Sequence, residues 1–132
     1  MSGFDALMKK IEENTVKVGI IGLGYVGLPL AVTFSRKGVE VLGFEKNAAK
    51  AENINQAKNY IGDVEDEELR RVVKEQKLSA TTDFSRISEC DAVIICVPTP
   101  LDKFKKPDMS YIEGACIDIG KYMKKGTFIS LE

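Results

Sequence analysis

The spacing of apolar positions changes several times along the chain, and each change marks an element. A run of Val, Gly and Ile interrupted by the single charge of Lys17 reads as a buried strand over 16–21. Gly22, Gly24 and Gly27 follow at G-x-G-x-x-G spacing. The pattern then resumes at helical intervals with Val26, Leu28, Leu30, Ala31 and Phe34. This predicts a helix over 26–37, with Pro29 tolerated in its first turn and Gly38 as the residue that ends it. A strand over 39–44, a helix over 48–56 and a second helix over 65–76 come next, the last capped by Asp63 or Asp66. A short strand covers 78–81, and Asp83 caps one helical turn at 84–89. Residues 91–97 are the most apolar stretch and suit a central parallel strand covered on both faces. Beyond a polar loop, a helix over 110–124 turns Ile112, Ala115, Cys116, Ile119 and Met123 inward, and a strand covers 127–131. Upstream, Phe4, Leu7, Met8 and Ile11 give residues 3–14 one apolar face, and packing on the domain or on a partner both remain open.

Strands alternating with helices call for an α/β fold, a Rossmann-type parallel sheet with helices on both faces and ligand at the carboxyl ends of the strands. Residues 1–15 read as a helical extension and 16–132 as one nucleotide-binding domain. The last strand reaches the final residues with no helix to close it. The expectation is an N-terminal domain fragment of a longer protein, without its substrate-binding parts.

Composition narrows the function classes. A formal net charge of −1, with 30% charged residues, supplies no basic field for nucleic acid and no polybasic membrane patch. No apolar run reaches membrane-spanning length. The three cysteines lack metal-ligand spacing and point to a reducing, cytoplasmic compartment. There is no histidine, which removes a histidine base and a Ser-His-Asp triad from this chain.

The glycine stretch carries the chemistry. Gly22 lets the chain turn sharply off the strand, Gly24 removes a Cβ where a pyrophosphate approaches, and Gly27 lets helix and strand pack closely. The helix N-terminus offers unpaired N–H groups to the anion. Glu45, at the end of the next strand, is placed to accept hydrogen bonds from the adenosine ribose and to repel a 2′-phosphate, which favours NAD over NADP. Lys46 beside it works against that preference. Lys50 reads as a surface lysine within reach of the ribose or pyrophosphate. Val97, Pro98, Thr99, Pro100 and Leu101 leave the apolar strand at its carboxyl end, where the nicotinamide half of a dinucleotide passes. The prolines stiffen this loop, and Thr99 keeps a hydroxyl and an N–H for the cofactor. Tyr25 reads as a lid or packing group. Cys90, Cys96 and Cys116 read as small buried apolar residues rather than nucleophiles.

Taken together, VGIIGLGYVGLPLA (18–31), VLGFEKN (41–47), DAVIICVPTPLDK (91–103) and PDMSYI (107–112) resemble the N-terminal domain of the UDP-glucose/GDP-mannose dehydrogenase family. The VPTPLDK and PDMSYI runs and the FISLE ending are most similar to the branch that oxidises UDP-N-acetylhexosamines. The resemblance implies oxidation of a nucleotide sugar at its C6 hydroxyl to a carboxylate by two NAD-dependent hydride transfers, through a cysteine-bound intermediate. It implies a homo-oligomeric whole protein with a UDP-sugar substrate. Its cofactor residues carry over to Gly22, Leu23, Gly24, Tyr25, Val26 and Gly27, to Glu45 and Lys50, and to Val97, Pro98, Thr99, Pro100 and Leu101. The family usually has Asp where this chain has Glu45. Its catalytic cysteine and lysine lie far downstream and match nothing here, and a Ser-Thr pair that holds the catalytic water would follow Glu132. No catalytic residue is therefore expected in this chain, which should bind NAD without turnover. Two other readings of the glycine turn stay open: a different β-hydroxyacid-type dehydrogenase, and a non-catalytic NAD-sensing domain.

Overall fold

The computed structural model describes the chain apart from Met1, Ser2, Asn14, Asp63, Thr99 and Asp102, and apart from the side chains of residues 3, 4, 6 and 7. Five strands form one all-parallel sheet: β1 (Lys17–Ile21), β2 (Glu40–Phe44), β3 (Leu78–Thr81), β4 (Ala92–Ile95) and β5 (Phe128–Leu131). Their order is β3-β2-β1-β4-β5. The chain runs outward from β1 to β3, then crosses to the other side of β1 for β4 and β5. That reversal opens a crevice at the carboxyl ends of β1 and β4.

Alternation along β1 divides the core. Val18 and Ile20 point to one face, where α2 (Gly27–Arg36), α3 (Ala48–Asn55) and α4 (Asp66–Lys74) bury Leu28, Ala31, Val32, Ile54, Leu69 and Val72. Ile21 points to the other, with Leu42 and Phe44 of β2 and Val93 and Ile95 of β4. There a 3-10 helix (Phe84–Glu89) and α5 (Ser110–Tyr122) supply Ile87, Ala115 and Ile119. Register sets Ile21 opposite both Phe44 and Ile95, so the loops that follow all three strands emerge together.

Local signals explain the boundaries. Gly38 has φ +93° and its N–H donates to Ser35, ending α2 as expected. The Asp83 carboxylate accepts from the Ser85 N–H and starts the 3-10 helix. Asn47 caps α3 through the N–H groups of Ala49 and Lys50. At α4 one of the two expected caps is corrected. Asp66 is the first residue of the helix, Glu65 holds the cap position without a side-chain bond, and Asp63 lies outside the described residues. β4 is shorter than the expected 91–97 because Asp91 turns its carboxylate onto the start of β1 and Val97 swings out toward the crevice.

Two expectations for the last helix are corrected. Cys116 is exposed, and so is Met123. α5 packs against the 3-10 helix and the sheet over a narrow stripe, Ala115 and Ile119, and its neighbour β5 is an exposed edge strand. The extension forms α1 (Gly3–Glu12), pinned at its end by Lys10, whose Nζ lies 2.7 Å from Asp91 Oδ1. Met8 and Ile11 are exposed, and the Phe4 and Leu7 side chains lie outside those described.

Candidate functional site

A cleft of about 1070 Å³ opens at the carboxyl edge of the sheet, against the glycine turn. Gly22, at φ +93°, leaves β1 with its N–H donated to the Phe44 carbonyl at 2.8 Å. Leu23 is fully buried, its N–H donates to Glu45 Oε2 at 3.1 Å, and its carbonyl accepts from the Tyr60 hydroxyl at 2.6 Å. A Cβ built on Gly24 meets nothing within 4 Å, which leaves the main chain bare where an anion would approach. Val26 holds the cap position of α2 without a side-chain hydrogen bond. The N–H groups of Gly24, Tyr25, Val26 and Gly27 have no partner among the described residues. Four open donors at a helix start, beside a side-chain-free surface, fit a pyrophosphate.

Glu45 follows β2 directly, with its N–H bonded to the Thr81 carbonyl. Its second oxygen accepts from the Asn47 N–H at 3.3 Å. Both carboxylate oxygens therefore brace the rim of the cleft and keep further lone pairs for hydroxyl groups. Lys46 and Lys50 diverge from it. The Lys46 ammonium stands over the Phe84 ring at 5.7 Å, on the α5 side, and the Lys50 ammonium over the Tyr60 ring at 5.9 Å, on the α3 side.

The remaining expected residues scatter. Val97 and Pro98 line the cleft. Pro100 and Leu101 are exposed on a small turn, where the Pro100 carbonyl accepts from the Asp108 N–H and Leu101 bridges Pro107. Thr99 lies outside the described residues. Val26 is 57% exposed and does not pack inward as the helical spacing implied, and Tyr25, 80% exposed, lines the cleft. Tyr60, Phe84, Tyr111 and Ala115 also line the cleft, and no spacing in the sequence marks them as site residues. Cys90 and Cys96 are buried, which pushes both thiols up to about 11; near Cys96 the charge of Glu132 adds to the effect.

Residues 16–132 match the family model described as the UDP-glucose/GDP-mannose dehydrogenase family, NAD binding domain. The chain belongs to that family. Its cofactor is NAD, and the bare turn, open N–H groups and Glu45 fit that molecule. A curated relative, the UDP-N-acetyl-D-glucosamine 6-dehydrogenase of Pseudomonas aeruginosa, is 38% identical over 89% of this chain and 27% of its own length. A solved structure, the NDP-N-acetyl-D-galactosaminuronic acid dehydrogenase of Methanosarcina mazei, superposes with a TM-score of 0.85 at 37% identity, over 100% of this chain and 30% of that one. The UDP-D-ManNAc dehydrogenase structure from Pyrococcus horikoshii gives a TM-score of 0.81 at 32% identity, over 89% of this chain and 28% of that one. The chain thus spans under a third of the length of these relatives. Among the described residues no helix is long and apolar enough to cross a membrane.

Proposed function

We propose that this chain is the cofactor-binding domain of a nucleotide-sugar 6-dehydrogenase whose substrate is a UDP-N-acetylhexosamine. The whole enzyme takes the C6 hydroxyl of the sugar to a carboxylate, a four-electron oxidation that consumes two NAD+. NAD, when bound, supplies the hydride acceptor. This chain's part is to hold it. The N–H groups of residues 24–27 take the pyrophosphate, and Glu45 takes the adenosine ribose and disfavours a 2′-phosphate. Lys46, drawn toward Phe84, leaves that preference in place. Gly22, Leu23, Gly24, Tyr25, Val26, Gly27, Glu45 and Lys50 form the adenosine and pyrophosphate side, and the loop from Val97 to Leu101 serves the nicotinamide side.

The observation that carries this reading is the row of open N–H groups beside Glu45 at the mouth of one cleft. The substrate assignment rests on relatives named for UDP-N-acetyl sugars. The 132-residue chain is expected to bind NAD without turnover, because Cys90 and Cys96 are buried, the exposed Cys116 does not line the cleft, and the chain spans under a third of the relatives' length. Three free cysteines support a reducing, cytoplasmic setting.

Calorimetric titration with NAD and NADP tests the reading. NAD should bind more tightly, and a tighter NADP complex would assign the dominant charge to Lys46 or Lys50. Mixing the chain with NAD and UDP-N-acetylglucosamine should yield no NADH absorbance, and sustained NADH production would overturn the non-turnover assignment.

A further inference from the structure

Two hydrogen bonds from outside the glycine turn meet at Leu23, one on each side of it. Its N–H donates to Glu45 Oε2 at 3.1 Å, and its carbonyl accepts from the Tyr60 hydroxyl at 2.6 Å. A peptide group is planar, so the first bond sets the plane of the Gly22–Leu23 peptide and the second that of Leu23–Gly24. In a trans peptide the C=O and N–H point in opposite directions. A hydroxyl seated on the Leu23 carbonyl therefore sets where the Gly24 N–H points. Gly24 borders the cleft, its N–H has no partner among the described residues, and a Cβ built there meets nothing within 4 Å.

The same carbonyl matters a second time. Leu23 lies four residues before Gly27, so its oxygen is the acceptor that the Gly27 N–H would take if α2 began one turn earlier. Turned toward Tyr60, it leaves the Gly27 N–H open as well. A hydrogen bond to the oxygen of an amide also strengthens the N–H on its other side as a donor.

We infer that Tyr60 is a positioning residue for the pyrophosphate of the dinucleotide: its hydroxyl, seated on the Leu23 carbonyl, aims and polarises the Gly24 N–H and keeps the Gly27 N–H free. This rests on the reading of the turn as the NAD site. Tyr60 arrives from the connection between α3 and α4, 37 residues away in sequence. It is only partly buried, and its ring edges the cleft beneath the Lys50 ammonium. Burial, with the nearby charge of Glu45, pushes its phenol up to about 12, so the donating form is the one present at neutral pH.

The test compares ligands that differ in the pyrophosphate, using the 132-residue chain. Tyr60→Phe should weaken NAD and ADP-ribose on the order of five- to tenfold, the value of one hydrogen bond. Adenosine, which lacks the anion, should bind as it does to the parent. In the ligand-free protein the Gly24 amide proton resonance should shift upfield. Tyr60 replaced by 4-aminophenylalanine keeps an N–H donor at the same ring position and should recover most of the loss; should the Phe variant fail to fold, 4-methoxyphenylalanine, which cannot donate, takes its place and should show the same loss. Unchanged NAD affinity in Tyr60→Phe overturns the inference, as does an equal loss for NAD and adenosine, or a 4-aminophenylalanine variant that binds NAD no better than the Phe variant. If the parent chain itself binds neither NAD nor ADP-ribose, the dinucleotide reading falls and the Tyr60 inference with it. Binding by the parent with no effect at Tyr60 removes the inference alone.

Discussion

A Cβ placed on Gly27 would stand 1.7 Å from the carbonyl oxygen of Gly22. The obstacle is backbone at the point where strand and helix cross, so no side chain can move aside to relieve it. Gly24, three residues earlier, has nothing within 4 Å of the same construction. The two glycines therefore serve different ends, packing at Gly27 and access at Gly24. Gly27→Ala should destabilise the domain by about 3 kcal/mol or more. Gly24→Ala should change stability by less than about 0.5 kcal/mol while weakening NAD about tenfold, because its methyl enters ligand space. Thermal unfolding with and without NAD separates the two: the first variant loses its midpoint, the second only the shift produced by the ligand.

The thiols should divide in the same clear way. Cys116 is exposed on α5, whereas Cys90 and Cys96 are buried and burial raises both to about 11. A thiolate-trapping reagent at pH 7–8 should therefore label one cysteine quickly in the native chain and all three in denaturant. Mass mapping of the fast site to Cys90 or Cys96 would contradict the packing of β4 against β1.

Most of the fold was legible because local rules and tertiary packing agree. The shift from strand to helical spacing at Gly22–Gly27, the cap at Asp83 and the stop at Gly38 are each decided within a few residues. The glycine turn and Glu45 were legible for the same reason, since a fixed spacing brings them together in this fold. Tyr60 was not. Its partner lies 37 residues away, and nothing in Asn59-Tyr60-Ile61 distinguishes a hydroxyl bound to the turn from one in solvent. Cys116 and Met123 were misplaced because helical spacing names a face without saying how much of it is covered. α5 is covered only along Ala115 and Ile119, beside an edge strand whose Phe128 and Leu131 are themselves exposed.

Asp91 ties the amino-terminal ends of β1 and β4 to the carboxyl ends of α1 and α5, opposite the cleft. Its side chain, 9% exposed, accepts from Lys10 at 2.7 Å, from Lys124 at 2.8 Å and from the Lys17 N–H at 2.9 Å. Burial alone would raise its carboxyl, but the bonds from Lys10, Lys124 and the Lys17 N–H outweigh it and hold the group below its ordinary 3.8. A group depressed in the folded state stabilises the protein above its unfolded value and loses that contribution as the pH falls through the folded one. Stability should thus decline below about pH 4, and in Asp91→Asn this acid limb should flatten. Both ammonium groups remain partly in water, so Asp91→Asn should lose only about 1–2 kcal/mol at pH 7, and Asp91→Ala more, since the Lys17 N–H then also lacks its acceptor. Urea midpoints from pH 3 to pH 8 measure both effects.

Leu23 fills a slot that exists because residue 43 has no side chain. A Cβ on Gly43 would lie 2.5 Å from Leu23 Cδ1 and 2.9 Å from Cδ2. Gly43→Ala should therefore destabilise by about 1–3 kcal/mol and displace Leu23, and with it the hydrogen bonds to Glu45 and Tyr60. Leu23→Ala alone should lose about 2–5 kcal/mol by opening a cavity in the fully buried core. In the double variant the methyl at 43 enters the space vacated at 23. The combined loss should fall short of the sum by about 1 kcal/mol or more, the non-additivity expected of two groups in contact. NAD affinity should follow the same cycle, because the peptides on either side of Leu23 carry the N–H groups of the turn. Additive losses would mean that the turn yields by moving its backbone rather than the Leu23 side chain, which would separate the slot in β2 from the geometry of the cofactor site.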